Sequence, residues 1–336
     1  MNSQIHKLLY SILTLVIVLG TTSSLLAQAP GSSRGLSSGE GAHVIQGRIH
    51  FPSGQAVSLR QVKISLESAS LFSSKTAVTD QDGTFRFVGL EAGAYTIVVD
   101  AGKEYEIARE SVAIDREASQ GGRTVQVAIQ LRLKIDPSNP AFANVSPKAL
   151  GFYEKGVAAI KKGDTKAAAE HLKNAVAEYP NFPLALSDLG VQYMKLGQMD
   201  QAASTFAALV KLKPGDAAAY LNQGIALFNL KKTEDAEKSL RRSLELHDAG
   251  PTGHYYLGLI LIGQHRLDEA QKEFELTITN GGENLALAHK YLGGLYISSK
   301  KNREAADELE KYLKLDPKAP DADRIKGTIK DLRSHP

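Results

Sequence analysis

The chain has 336 residues, of which 43% are hydrophobic and 23% are charged, and its net charge is +3. This length and composition allow two globular domains with flanking segments, and the interspersed charges argue against a nucleic-acid surface, which would show a basic stripe. The chain has no cysteine, which excludes disulfides, thiolate metal sites and a cysteine nucleophile.

Residues 1–29 have the pattern of a secretory signal peptide. Lys7 supplies a positive start, and the apolar run at residues 8–19 is too short to span a bilayer comfortably. The small residues Ala27 and Ala29 offer two cleavage sites for signal peptidase. Cleavage after Ala27 is favoured, because cleavage after Ala29 would make Pro30 the first residue of the mature chain. An uncleaved membrane anchor is the alternative. We expect an exported chain, periplasmic or secreted, without a membrane span after cleavage.

A flexible tether and a β-region follow. Residues 30–42 are rich in glycine and serine and poor in apolar residues, which predicts the tether. From residue 43 to residue 134, apolar and polar residues alternate, with turn residues about every ten positions. This pattern predicts about seven short strands in a β-sandwich. The alternating runs begin at Val44, Val62, Phe85, Tyr95 and Val125.

Three stretches of the β-region are more specific. Residues 52–54 read Pro-Ser-Gly, residues 79–85 read Thr-Asp-Gln-Asp-Gly-Thr-Phe, and residues 90–95 read Leu-Glu-Ala-Gly-Ala-Tyr. Together they resemble the carboxypeptidase regulatory-like domain, a small transthyretin-like sandwich also described as having a carbohydrate-binding-like fold. The resemblance implies an accessory module without catalysis of its own. We expect Phe85 and Tyr95 in its core.

Five glycines recur in the second half of the chain at spacings of 34, 34, 34 and 35 residues. Each is followed by an alanine 12 residues later and by a large apolar residue 16 residues later. A glycine inside a helix costs about 1 kcal/mol relative to alanine, so its recurrence indicates that two helices approach closely. The expected repeat-packing residues are Gly156, Gly190, Gly224, Gly258 and Gly293, with Ala168, Ala202, Ala236, Ala270 and Ala305.

This pattern resembles the tetratricopeptide repeat (TPR), a 34-residue helix–turn–helix unit. Leu-Gly is kept in three of the five repeats, the tyrosine in two and the closing proline in three. The resemblance implies an all-α superhelix of five helix pairs over residues 148–319, entered through a proline-containing linker at residues 135–147. Residues 320–336 carry an apolar stripe at helical spacing, which predicts a capping helix.

The resemblance also implies a concave groove, lined by the first helix of each pair, that binds peptides or proteins. With each repeat's glycine counted as position eight, positions five, nine and twelve are mostly apolar or tyrosine. They lack the ordered lysine, arginine and asparagine set by which chaperone-binding members hold a C-terminal carboxylate. We therefore expect a protein or peptide partner with an apolar or amphipathic segment, although about half of these residues could instead pack between repeats. The expected groove residues are Tyr153, Val157, Ile160, Val191, Met194, Leu221, Ile225, Phe228, Tyr255, Leu259, Ile262 and Ile297.

No residue pattern indicates an enzyme, a metal site or a cofactor. The turn at residues 80–83 is similar to the start of a calcium loop but lacks the other ligands, so a structural turn is favoured. Ser298 and Lys301 have the spacing of an acyl-enzyme motif without its companion motifs. His254 and His289 share one position in successive repeats, where core packing is favoured over a metal pair.

These observations predict a non-enzymatic, exported adaptor whose β-module and repeat array assemble envelope or secreted complexes. The alternative is a carbohydrate-binding protein, in which the sandwich contacts glycan and the repeats recruit partners. The chain has no tryptophan, and Tyr95 and Tyr105 lie in strand-like contexts, which argues against the exposed aromatic rings of most glycan sites. An unrecognised hydrolase is a third and weaker interpretation.

Overall fold

The computed structural model describes residues 43–52, 61–68, 74–80, 83–114, 124–136, 139–246 and 250–334. They form two compact units. The first holds the described residues between 43 and 155 together with 174–184, and the second holds 156–173 together with the described residues from 185 to 334. The expected signal peptide and tether lie outside the described residues.

Seven strands form two sheets in the described part of the first unit. They are β1 (His43–His50), β2 (Lys63–Ser68), β3 (Ser74–Val78), β4 (Thr84–Leu90), β5 (Gly93–Val99), β6 (Ala108–Ile114) and β7 (Thr124–Gln130). A three-stranded sheet has the order β4-β1-β7, with β1 antiparallel to β4 and parallel to β7. A four-stranded antiparallel sheet has the order β3-β2-β5-β6. The prediction of a seven-stranded sandwich is confirmed.

Alternate side chains of these strands are buried, because successive residues of a strand point to opposite faces. Phe85 and Phe87 of β4 are buried, with their ring centroids 5.9 Å apart. Tyr95 of β5 is also buried, and its hydroxyl donates to the carbonyl of Glu91 at 2.9 Å. Burying one such ring contributes about 1.5–3 kcal/mol. The expected core positions of Phe85 and Tyr95 are confirmed.

The edge strands β3 and β6 are not singled out by alternation in the sequence. An edge strand has fewer neighbours, so its inward positions tolerate polar and small residues, and most of β3 is exposed. Lys75 of β3 extends to the other sheet, where its Nζ donates to the carbonyls of Val88 at 3.1 Å and Gly89 at 2.9 Å. A charged edge of this kind also discourages pairing with other chains.

Eleven α-helices follow in the described residues. They are α1 (Pro147–Lys161), α2 (Thr165–Glu178), α3 (Pro183–Lys195), α4 (Met199–Leu212), α5 (Ala217–Asn229), α6 (Thr233–Glu245), α7 (Pro251–Gly263), α8 (Leu267–Thr277), α9 (Ala286–Ser298), α10 (Asn302–Leu315) and α11 (Ala322–Ser334). The first ten are paired in sequence as helix–turn–helix units, and α10 packs against α11. The predicted five helix pairs and capping helix are confirmed. None of the helices described is long and apolar enough to cross a membrane.

The longer spacing between the fourth and fifth repeat glycines has a local structural basis. After α8, residues 278–282 form one π-helical turn. Asn280 at φ −92° and ψ 25° and Gly281 at φ +99° leave helical geometry there. The 35th residue of this repeat is therefore accommodated between helices, and α9 keeps its register.

The turn inside each helix pair places one residue in the left-handed region of φ. Gly163 and Gly197 hold this position in the first two pairs, at φ +75° and +72°. Lys231, His265 and Lys300 hold it in the other three, at φ 60°, 61° and 60°. The left-handed conformation costs a residue with a Cβ roughly 1–2 kcal/mol.

We expect Lys231→Gly to raise the free energy of unfolding by about 1 kcal/mol, because glycine adopts this φ without strain. The matched control is Lys232→Gly, whose φ of −82° gives glycine no advantage. Chemical denaturation of both full-length variants measures the difference. Equal stability of the two variants would contradict a strained turn.

The last helix covers the end of the array. Ile325 of α11 is fully buried, and it packs in one cluster with Leu309 and Tyr312 of α10. Ile329 and Leu332 pack against the same cluster. The apolar stripe of the sequence is therefore the covering face, as a terminal repeat requires.

Candidate functional site

The first helix of each pair is positioned by its glycine. A Cβ on Gly224 would lie 2.7 Å from Cγ of Leu240 and 3.3 Å from the carbonyl oxygen of Ala236. The other four glycines are in the same relation to Leu172, Phe206, Phe274 and Leu309, with the nearest side-chain atom at 2.6–2.8 Å. The five repeat alanines are all 0% exposed. Each large side chain thus occupies the volume that a Cβ on the first helix would need.

The twelve expected groove residues all lie on the first helices α1, α3, α5, α7 and α9. None of them is exposed. The buried ones are Tyr153, Val157, Ile225, Leu259 and Ile262. The half-buried ones are Ile160, Val191, Met194, Leu221, Phe228, Tyr255 and Ile297.

Tyr153 belongs to the core of the first unit. It is 7% exposed, and its ring lies 4.9 Å from that of Phe182 and 6.0 Å from that of Phe142. Phe142 comes from the proline-containing linker and is 2% exposed. Tyr153 therefore has little surface to offer a ligand, and the linker contributes a core residue that its composition does not indicate.

The same linker is held by an asparagine. The side-chain amide of Asn139 donates to the carbonyls of Glu104 and Lys134, both at 3.3 Å. Its side-chain oxygen accepts from the backbone amide of Ala141 at 3.1 Å. Asn139 is 7% exposed, so these bonds satisfy a buried polar group.

Tyr255 packs between repeats. Its ring contacts those of Phe274 at 5.9 Å and Tyr291 at 6.3 Å, and these two rings stack at 5.3 Å. Burial raises the pKa of Tyr255 above its ordinary range and that of Tyr291 to about 12. Position five thus faces neighbouring helices in this repeat. The groove role of Tyr153 and Tyr255 stays a prediction, and the packing of both rings within the array leaves Tyr153 buried and Tyr255 half-buried.

One row of apolar side chains keeps partial contact with solvent from repeat to repeat. At position twelve, four of the five repeats carry a half-buried apolar residue. We call this set the position-twelve row: Ile160, Met194, Phe228 and Ile297. Ile262, at the same position of the fourth repeat, is 7% exposed.

Two histidine–glutamate pairs lie inside the fourth and fifth helix pairs. His254 Nδ1 is 2.7 Å from Glu273 Oε2, and His289 Nδ1 is 2.5 Å from Glu308 Oε2. His289 Nε2 also lies 2.9 Å from the carbonyl oxygen of Glu283. Both ring nitrogens of His289 therefore lie within hydrogen-bond distance of oxygen atoms.

Each pair joins the two helices of one repeat. Burial raises the pKa of Glu308, but hydrogen bonds from His289 and Lys311 outweigh it, and the pKa lies below its ordinary value. No group of three or more histidine, aspartate or glutamate side chains among the described residues could hold a metal ion. These histidine–glutamate pairs could have been found in the sequence, because a glutamate follows each of the two histidines by 19 residues.

The acidic turn of the β-region is satisfied internally. Asp80 Oδ1 accepts from the backbone amide of Thr84 at 2.8 Å, and the Thr84 hydroxyl bonds to Oδ2. Gly83 has φ +76°, which a turn of this kind requires. Asp82 lies outside the described residues.

Ser298 and Lys301 make separate contacts. The Ser298 hydroxyl donates to the carbonyl of Gly294 at 3.2 Å, within α9. The Lys301 ammonium lies 5.4 Å from the ring centroid of Tyr296. These contacts are those of a helix end followed by a turn.

Comparison with known families identifies both parts of the chain. Residues 44–132 match the carboxypeptidase regulatory-like domain, and residues 159–223 and 221–284 match two tetratricopeptide repeat families. Both resemblances seen in the sequence are confirmed. No curated protein matches the chain.

Solved structures similar to the chain include repeat proteins. MamA has 26% identity, with 51% of this chain and 93% of that chain covered and a TM-score of 0.46. YrrB, described as a TPR protein with an unusual peptide-binding site, has 18% identity, coverage of 58% and 100%, and a TM-score of 0.48. A thermophilic TPR protein from Thermus thermophilus has 22% identity, coverage of 54% and 99%, and a TM-score of 0.41.

Proposed function

We propose that this chain, which carries tetratricopeptide repeats behind an N-terminal carboxypeptidase regulatory-like domain, is a non-enzymatic, exported adaptor. Its repeat array binds an apolar or amphipathic segment of a partner protein and so assembles envelope or secreted complexes. The observation that carries the proposal is the position-twelve row. Export is supported by the signal pattern of residues 1–29.

The spacing of the row suits a short secondary-structure element. Packed helices lie about 8–10 Å apart, so side chains on three successive first helices span roughly 20 Å. A helix of about 13 residues has this length, and an amphipathic helix presents apolar residues along one face. The half-buried residues still have apolar surface to lose, and each Å² removed from water contributes about 25 cal/mol.

The partner is tested by photocrosslinking in the native cell. A benzophenone amino acid is placed in the full chain at Met194 or Phe228, with Lys211 and Lys238 as exposed control positions on second helices. We expect one discrete crosslinked partner from the first two positions and none from the controls. Recovery of the crosslinked product in the envelope or medium fraction shows that the chain is exported. Equal crosslinking from all four positions would contradict binding through the position-twelve row.

Substitution of residues in the position-twelve row provides a second test of partner binding. The double variant Met194→Asp and Phe228→Asp is expected to reduce partner recovery at least about tenfold, because a carboxylate cannot enter an apolar contact without loss of hydration. The control is the double variant Lys211→Asp and Lys238→Asp. Leu259 is unsuitable for such a change because it is only 9% exposed, and a charge there would cost folding. Unchanged recovery from a folded Met194/Phe228 variant would refute the proposal.

The alternative function is glycan binding by stacking of sugars on exposed aromatic rings of the sandwich. The described strands and loops do not support it. Tyr95 and Tyr105 are each 6% exposed, Phe85 and Phe87 are buried, and Phe51 is half-buried. The four buried rings have no open face for stacking on a sugar.

A further inference from the structure

The outer face of the three-stranded sheet has an unusual composition. Its residues alternate with buried ones along β1, β4 and β7. We call this surface the three-stranded face: Val44, Gln46, Arg48 and His50 on β1, Thr84, Arg86 and Val88 on β4, and Thr124, Gln126, Ala128 and Gln130 on β7. None of these eleven residues is acidic, and none is phenylalanine, tyrosine or tryptophan.

Strand register brings the two arginines together. Gln46 is paired with Arg86, and Arg48 is paired with Thr84, so the two arginines occupy diagonal positions about 7–8 Å apart. Arg48 is half-buried and Arg86 is exposed. Neither guanidinium forms a hydrogen bond or ion pair with another described residue. The Asp80 carboxylate lies beside Thr84 and accepts from its amide and hydroxyl, which are neutral donors.

Glutamines surround this pair. Gln46 lies between Arg86 on β4 and Gln126 on β7, and His50 is paired with Gln130. From Val44 to His50 the face is about 20 Å long, and three strands make it about 10 Å wide. A ligand lying along β1 would meet amides and guanidinium groups in succession.

The outer face of the four-stranded sheet differs. Its Arg109 is paired with Glu67 at 3.6 Å, with both side chains exposed. Serine, threonine and alanine predominate around this pair, as at Ser65, Thr96 and Ala113. An anion is therefore offered two guanidinium groups without an ion pair on one sheet and an ion-paired guanidinium group on the other.

Side-chain chemistry selects the class of ligand. A guanidinium binds a carboxylate through two parallel hydrogen bonds, and a glutamine amide both donates to and accepts from hydroxyl groups. Protein interfaces are commonly anchored by aromatic side chains, and single-stranded nucleic acid stacks its bases on aromatic rings. The face has no such ring, and its apolar residues are Val44, Val88 and Ala128. We propose that it binds an acidic polysaccharide, with Arg48 and Arg86 on uronate carboxylates and Gln46 and Gln130 on sugar hydroxyls.

The test uses the full chain and calorimetric titration at low salt. The probes are hexagalacturonate, the neutral maltohexaose and the acidic peptide hexaglutamate. We expect binding of hexagalacturonate alone, weakened as sodium chloride is raised because exposed charges are screened. The double variant Arg48→Gln and Arg86→Gln is expected to lower the affinity about tenfold. Arg109→Gln, the matched control on the other sheet, is expected to leave it unchanged.

Three results would overturn the proposal. One is no binding of hexagalacturonate by the folded chain. Another is equal binding of hexaglutamate with the same dependence on Arg48 and Arg86, which would assign the face to an acidic peptide. The third is equal affinity of the double variant and the wild type. The face is independent of the position-twelve row, so failure of either proposal leaves the other standing.

Discussion

Gly293→Ala is expected to lower the free energy of unfolding by about 2 kcal/mol, whereas Gly294→Ala is expected to raise it by about 1 kcal/mol. A Cβ at Gly293 would lie 2.8 Å from Cγ of Leu309 and 3.3 Å from the carbonyl oxygen of Ala305. A Cβ at Gly294 would have no such neighbour within 4 Å. Overpacking costs about 1–3 kcal/mol, and alanine in a helix is favoured over glycine by about 1 kcal/mol.

The measurement is urea unfolding of the full chain combined with hydrogen exchange of α9, because repeat arrays can open locally. The double variant Gly293→Ala and Leu309→Ala tests the contact itself. Removing the Leu309 side chain alone is expected to cost about 2–5 kcal/mol, and the double variant should lose less than the sum of the single variants. If Gly293→Ala and Gly294→Ala changed the free energy of unfolding by the same amount in the same direction, Gly293 would not be required for close helix packing.

The second large effect on stability is expected at Asp321, whose carboxylate connects the start of the capping helix α11 to α9 and α10. Asp321 accepts hydrogen bonds from Lys290 Nζ at 2.8 Å, from the Tyr312 hydroxyl at 2.7 Å and from Arg324 at 3.0 Å. The side chains of Asp321 and Lys290 are only 17% and 13% exposed. We expect Asp321→Asn to lower the stability of α11 by about 2–3 kcal/mol, because it leaves a largely buried ammonium without its counter-charge.

The matched control is Asp323→Asn. Asp323 is 98% exposed and pairs only with Lys326 at 3.0 Å among the ion pairs described, and exposed pairs contribute little. Hydrogen exchange of residues 322–334 together with thermal unfolding measures both variants. Equal protection of α11 in the two variants would contradict the role of Asp321.

The stability lost in the Asp321→Asn variant should depend on pH. Burial raises the pKa of this carboxyl, but hydrogen bonds from Lys290 and Tyr312 outweigh it, so the pKa lies below the ordinary value of 3.8. A group with a depressed folded pKa contributes its full stability above the unfolded pKa and loses it as pH falls through the folded pKa. The stability difference between wild type and Asp321→Asn should therefore be constant above about pH 5 and shrink below pH 3.8.

Much of the fold follows from local patterns in the sequence. The 34-residue spacing of glycine, alanine and a large apolar residue specifies which helices pair, because each triplet needs the same close contact. Alternation identifies the central strands β1, β2 and β5, and also the edge strands β4 and β7 of the three-stranded sheet. The edge strands β3 and β6 of the four-stranded sheet escape it, because apolar residues do not alternate regularly along their sequences.

The candidate sites depend on contacts that no local pattern contains. The repeat pattern places Tyr255 on a first helix, but only the positions of Phe274 and Tyr291 enclose its ring. Likewise, the composition of the linker does not indicate that Phe142 is buried.

The sequence by itself determined the architecture of this protein: a β-sandwich, five helix pairs and a cap, because short-range periodicity and close-packing residues specify them. The tertiary structure decided which apolar residues of the first helices remain accessible, since burial depends on neighbours that are distant in the chain. It also decided that Arg48 and Arg86 lie side by side, because strand register joins residues 38 positions apart.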